Sequence, residues 1–182
     1  MRLKQRQITN GVIRLVPLQN QHQDLFVELY SNPKIMRQVA EPLSVPLAVR
    51  TFAKAINSAD ETRRHYYWVI QNAQGAESGI AALIMLPNKV AEVGVMLLPK
   101  FSRQQLPLQV GVCLFSYAFE FSSIEQIVVM HKAGNLPLPP VLRELSMQCN
   151  VNEDELYSWH LPRHTWCEAR THAPYSDIKL IE

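Results

Sequence analysis

The chain has 182 residues, 47% of them hydrophobic and 19% charged, with 18 basic and 16 acidic residues leaving a formal net charge of +2. That length fits one compact domain spanning residues 1–182, and the composition excludes a disordered, collagen-like or low-complexity chain. The near balance of charge argues against a dedicated nucleic-acid binder, which carries a basic stripe.

Membrane and secretory classes also find no support. The longest apolar run, residues 80–86, falls far short of the ~20 residues that span a bilayer. Arg2, Lys4 and Arg6 cluster without an apolar segment behind them, and position 2 is not the Gly that myristoylation requires. Cys113, Cys149 and Cys167 are too few and too odd for a disulfide framework, which fits a reducing compartment and a cytoplasmic protein. Cys149, His160, His164 and Cys167 are metal-ligand types, but they lack the close Cys pair that opens most structural zinc sites. No metal is expected.

The first predicted element is a strand over 12–16, following the Asn10-Gly11 turn signal. Leu25, Phe26, Leu29 and Tyr30 give helical spacing over 21–30, closed by Asn32-Pro33. Val49, Phe52, Ala53 and Ile56 form a second helical stripe over 46–57, with Ser44 as a candidate cap. The period then changes to that of strands over 66–71, 79–86 and 90–98, separated by two hairpin-like connectors. Val110, Cys113, Leu114, Tyr117, Ala118 and Phe121 make the clearest helix. A strand over 126–131, a helix carrying Leu138, Val141, Leu142 and Leu145, and strands near 156–160 and 178–181 complete the order. This predicts a mixed α/β domain: one central sheet of six to seven strands flanked by about four helices.

That order and several of its residues resemble the GNAT superfamily of acyl-CoA-dependent N-acyltransferases, most of all its ribosomal-protein N-terminal acetyltransferase branch. The resemblance rests on Ile13-Arg14-Leu15-Val16-Pro17-Leu18, Ser31-Asn32-Pro33, Ala91-Glu92-Val93-Gly94-Val95-Met96-Leu97, Ser116-Tyr117-Ala118-Phe119 and the segment from Asn135 to Leu145. It implies acetyl-CoA as cosubstrate, with the pantetheine arm pairing along Met96, Leu97 and Leu98. It also implies a pyrophosphate site where the main helix begins, with Arg103, Gln104, Gln105, Leu106 and Leu108 as candidate binding residues. Such a site works because free amides and the positive helix end attract a dianion.

The composition leaves its mark there. The chain has twelve prolines but six glycines, against roughly 9 and 13 for average usage. Where relatives of the branch read Gly-Gln-Gly-x-Ala, this chain reads Arg103-Gln104-Gln105-Leu106-Pro107. A side chain at a left-handed position costs roughly 1 kcal/mol or more. Pro107 removes an amide donor, and Arg103 can compensate by pairing with phosphate directly. Downstream, Leu138 stands where relatives carry a serine, and Pro137, Pro139 and Pro140 are expected to delay the next helix. Asn135 remains the most transferable contact there.

Acyl transfer to an amine needs a base. Glu92 alternates with Val90, Gly94 and Met96 on one strand face, where burial raises a carboxylate pKa. His131 is the second candidate base, or else a solvated histidine at a strand end. Tyr157 is a candidate acid for the leaving thiolate. Trp159, His160, His164 and Trp166 either line the acceptor pocket or pack beneath the sheet. The expected function is acetyl-CoA-dependent acetylation of a primary amine, on a protein N-terminus or a small molecule, with no nucleic-acid or membrane partner. The alternative is a catalytically impaired GNAT-fold binding or regulatory module with altered or lost CoA binding. The acceptor and the oligomeric state, a homodimer included, stay open.

Overall fold

The computed structural model describes residues 5–37, 39–57, 64–102, 105–132, 134–151, 156–172 and 177–181. Two short strands, β1 (Gln7–Thr9) and β2 (Arg14–Pro17), are joined through Gly11 at φ +84°. Asn10 Oδ1 closes that turn by accepting the amides of Val12 and Ile13, each at 3.1 Å. After a 3-10 turn comes α1 (Gln23–Ser31). Asn32 then begins a further short helix, α2 (Pro33–Met36), its Oδ1 accepting the Lys34 amide at 2.9 Å. Ser44 precedes α3 (Val45–Asn57), its carbonyl accepting the Ala48 amide at 2.9 Å.

The expected meander follows as β3 (His65–Gln71), β4 (Glu77–Met85) and β5 (Val90–Leu97). Asn88 and Lys89, both at φ 59°, make the tight turn between the last two. Then come α4 (Leu106–Phe121), β6 (Gln126–Lys132), α5 (Leu138–Glu144), β7 (Gln148–Val151), β8 (Leu156–Pro162), α6 (Arg163–His172) and β9 (Lys179–Ile181).

The strands form one mixed sheet in the order β7-β8-β6-β5-β4-β3-β2-β1-β9. Every neighbouring pair is antiparallel except β5 and β6, which α4 joins by a parallel crossover. The described residues hold nine strands and six α-helices, more than the six to seven and four expected from the sequence. The additions are short or polar: β1 is Gln-Ile-Thr, β7 is Gln-Cys-Asn-Val, and α6 has Trp166 as its one large buried apolar residue. The prolines before α5 do not delay it. Pro137 is its N-cap, and Pro139 and Pro140 occupy the first turn, where amides have no helical partner.

Tyr67 and Trp68 point to opposite faces of β3 and show how the layers are laid. Tyr67 meets Phe26 of α1 at 6.4 Å, while Trp68 meets Tyr117 of α4 edge-on at 5.6 Å. Continuous burial of α4 from Val110 to Phe119 explains its all-round hydrophobicity. Arg163 steadies the far end of that helix, its guanidinium donating to the carbonyls of Phe119, Ser122 and Ile124.

One feature of the sheet creates the site. β5 and β6 pair only at Val90–Gln126, Ala91–Ile127 and Glu92–Val128. Beyond that point β5 stays with β4 as far as Leu97, and β6 stays with β8 as far as Lys132. Gly79 permits the first of these attachments. A Cβ there would stand 2.1 Å from the Met96 carbonyl oxygen and 2.9 Å from Leu97 Cα. The sheet therefore parts at its one parallel pair.

Candidate active site

A cavity of about 370 Å³ fills the gap between β5 and β6 and reaches both faces of the sheet. On one side it meets Pro107, Gly111 and Phe115 of α4, with Asn135 and the leucines of α5. Gly111 lets these two helices approach, since a Cβ there would lie 2.4 Å from a Leu145 methyl. On the other side it meets Tyr30, Val39, Tyr67, Ala82 and Ile84.

Glu92 sits at the fork, in the last β5–β6 pair, and lines the cavity. Its cross-strand row runs His65, Ile84, Glu92, Val128. Burial pushes its carboxyl above the ordinary carboxylate range, and nearby His65 opposes that shift. Gly94, two residues on along the same face, leaves open space: a Cβ there would meet nothing within 4 Å.

Tyr67 and Tyr30, whose sequence patterns point only to a strand and a helix face, also converge here. Tyr67 shares the next row with Ala82 and Gly94, and its hydroxyl lies 3.3 Å from His65 Nδ1. Tyr30 stacks on Phe26 at 4.1 Å, and burial raises the pKa of its hydroxyl, with Tyr67 adding to the effect. Tyr30 read as the end of a helical stripe and Tyr67 as a strand residue. Their facing side chains depend on how α1 docks, which no local pattern records.

Of Met96, Leu97 and Leu98, only Met96 lines the cavity. Leu97 packs against the core, and Leu98 is buried with its amide bonded to the Ser78 carbonyl at 2.9 Å. The unpaired edge of β5 is thus the stretch just after Glu92, from Val93 to Met96. At the start of α4, Gln105 is the N-cap, while Leu106 and Leu108 turn their side chains into the core. Gln105 has φ −66°, so the strain expected from a missing glycine does not arise at that position. Arg103 and Gln104 lie outside the described residues. Asn135 lines the cavity, and its carbonyl accepts the Leu138 amide at 3.3 Å as α5 begins.

His131 is not a solvated strand end. It lines the cavity but is only 4% exposed. Its Nε2 accepts a hydrogen bond from Trp159 Nε1 at 3.0 Å, and its Nδ1 lies 2.8 Å from the Lys132 carbonyl oxygen. These partners assign the neutral tautomer with the proton on Nδ1. To take a proton on Nε2, the ring must first release Trp159. Tyr157 stacks on the His131 ring at 5.2 Å and is not among the residues lining the cavity. Trp159 and Trp166 belong to the core, which settles their place beneath the sheet. Among the described residues no cluster of three or more His, Cys, Asp or Glu is placed to hold a metal ion.

The sheet thus parts at its one parallel pair, with Glu92 at the fork. Residues 13–148, well over half of the chain, match the acetyltransferase (GNAT) domain, and the chain belongs to that family. Solved structures agree in fold. Spermidine N-acetyltransferase from Vibrio cholerae, in complex with CoA and spermine, aligns with a TM-score of 0.77 at 15% identity, covering 86% of this chain and 99% of that one. A GCN5-related N-acetyltransferase from Brucella melitensis gives 0.73 at 17% identity, covering 93% and 85%. A GNAT-family acetyltransferase from Bacillus anthracis gives 0.70 at 12% identity, covering 87% and 99%. No curated protein matches the chain in sequence.

Proposed function

We propose that this protein is an acetyl-CoA-dependent N-acetyltransferase acting on a primary amine in the cavity, with Glu92 as the general base. The observation that carries the reading is Glu92 itself, a half-buried carboxylate lining the cavity where the sheet divides. Acetyl-CoA supplies the activated acyl group. The open β5 edge from Val93 to Met96 offers backbone groups to an extended, amide-bearing arm. The start of α4, with Arg103 and Gln104 before it, offers helix-end amides to phosphates. Asn135 adds a side-chain amide at the opposite wall.

The amine nitrogen bonds to the acyl carbon and the carbon–sulfur bond breaks, releasing a thiolate. Glu92, directly or through one water, accepts the proton the amine loses, and that proton then passes through water to the thiolate. A carboxylate with a raised pKa holds that proton better than an ordinary one. His131, clamped by Trp159, serves as a fixed wall of the cleft rather than as the base. We place this activity in a single domain of the cytoplasm; no helix among the described residues is long and apolar enough to cross a membrane. The resemblance to the ribosomal-protein branch keeps a protein N-terminus among the acceptors.

A second reading, a binding or regulatory module with altered or lost CoA affinity, draws on Pro107, which removes an amide from the first turn of α4. Thermal unfolding with acetyl-CoA separates the two. Ligand at about 100 times its Kd adds about 2.7 kcal/mol of stability. A shift together with acetylated product supports the transferase. No shift at millimolar acetyl-CoA overturns it and leaves the module.

A further inference from the structure

Among the described residues, the half of the cleft beyond Glu92, on the α1 side of the sheet, is lined mainly by aliphatic side chains and by Tyr30 and Tyr67. Ala82 and Gly94 are small and leave a hollow beside Glu92, with Tyr67 at the end of their row. Tyr30 closes the hollow from above, held by its stack on Phe26. At the mouth stand Val39, 54% exposed, and Met130, 43% exposed on the β6 side of the gap. Among the described lining residues Glu92 is the one carboxylate, and Lys132 adds a positive charge.

This arrangement discriminates between amines. One nitrogen is served by Glu92, and whatever else the acceptor carries must be desolvated against tyrosine rings and aliphatic side chains. An apolar body gains by that transfer. A second ammonium group loses by it, because no further carboxylate among the described lining residues stands ready to pair it, and Lys132 repels it. The hollow is also compact, since the 370 Å³ cavity must admit the acyl end of the cosubstrate as well.

We infer that the acceptor is a monoamine borne on a compact apolar or aromatic body, and that polyamines are poor substrates. This rests on the N-acetyltransferase reading of the same cleft. Two sources share the chemistry: a free aralkylamine, and a peptide N-terminus whose first residue is large and apolar.

The test compares 2-phenylethylamine, peptides beginning with Phe or Leu, peptides beginning with Ser or Asp, and spermidine, with the acetylated product measured by mass spectrometry. The expected kcat/KM for the best apolar amine exceeds that of spermidine by at least about 100-fold, the scale on which a buried site rejects a group it cannot pair. Whether the free amine or the Phe and Leu peptides lead decides the source. Spermidine, or a Ser or Asp peptide, matching the apolar amines overturns the inference. A binding arm keeps the outcome separate from catalysis. With CoA present, 2-phenylethylamine is expected to raise the unfolding temperature more than spermidine does at equal concentration. If nothing is acetylated, the transferase reading fails, and this binding order still decides the inference. Met130→Glu, at an exposed rim position, places a second carboxylate at the mouth. It is expected to narrow the phenylethylamine-to-spermidine ratio by at least about tenfold, and an unchanged ratio contradicts the proposed location of the apolar body.

Discussion

The two sides of the cleft are made of different material. Toward α4 and α5 the chain offers mainly backbone: the unpaired edge of β5 after Glu92, and the first turn of a sixteen-residue helix whose leucines face the core. Toward α1 it offers side chains: Glu92, Tyr30, Tyr67, and the room left by Ala82 and Gly94. A surface of main-chain groups survives replacement of its side chains so long as the path of the chain is kept. A surface of side chains does not.

The contrast can be broken most sharply at Glu92. Glu92→Gln is expected to lower kcat by about 10² to 10⁴, the usual contribution of a positioned base, with acetyl-CoA affinity unchanged. Next in size is Gly94→Val. Its Cβ enters empty space, so folding is unharmed and the unfolding temperature stays level or rises, because glycine weakens a strand interior. Turnover of amines is expected to fall by about 10- to 100-fold as the hollow fills. Comparing the Tm with steady-state rates of the purified variant checks both halves.

Pro107→Ala probes the backbone side. It restores one amide to the first turn of α4 and is expected to tighten acetyl-CoA binding by about fivefold, the worth of roughly one hydrogen bond, as read by calorimetry. Unchanged affinity would mean that the start of α4 holds no phosphate. The smallest effect is on stability. Burial raises the native pKa of Glu92, so its stabilising contribution is present in acid and lost as pH rises through that raised value. Glu92→Gln is neutral throughout, so its Tm should exceed that of wild type at neutral pH. The difference should shrink on acidification, as thermal melts across pH would show.

Much of this was legible in the sequence where local period decides structure. The all-apolar α4, the three-strand meander and the face parity that sets Glu92 beside Gly94 follow from spacing alone. What escaped depends on partners far along the chain. The parting of β5 from β6 involves Gly79 lying against Met96 and Leu97. The tautomer of His131 depends on Trp159, 28 residues away. Tyr30 and Tyr67 meet only because α1 docks on β3 through Phe26. The strand β7 and the helix α6 carry too few apolar residues for either period to register. The prolines misled for a different reason: at an N-cap or in a first turn they cost the helix nothing.

We propose Glu92 as the base of an amine acetylation carried out in this cleft. The most direct test is the pH dependence of kcat/KM for wild type and Glu92→Gln, measured with one apolar amine and saturating acetyl-CoA. The expected wild-type profile loses activity as pH falls through a pKa above the ordinary carboxylate value, while the variant is slower by about 100-fold or more and lacks that acid limb. A variant that keeps both the wild-type rate and the wild-type acid limb would contradict the claim.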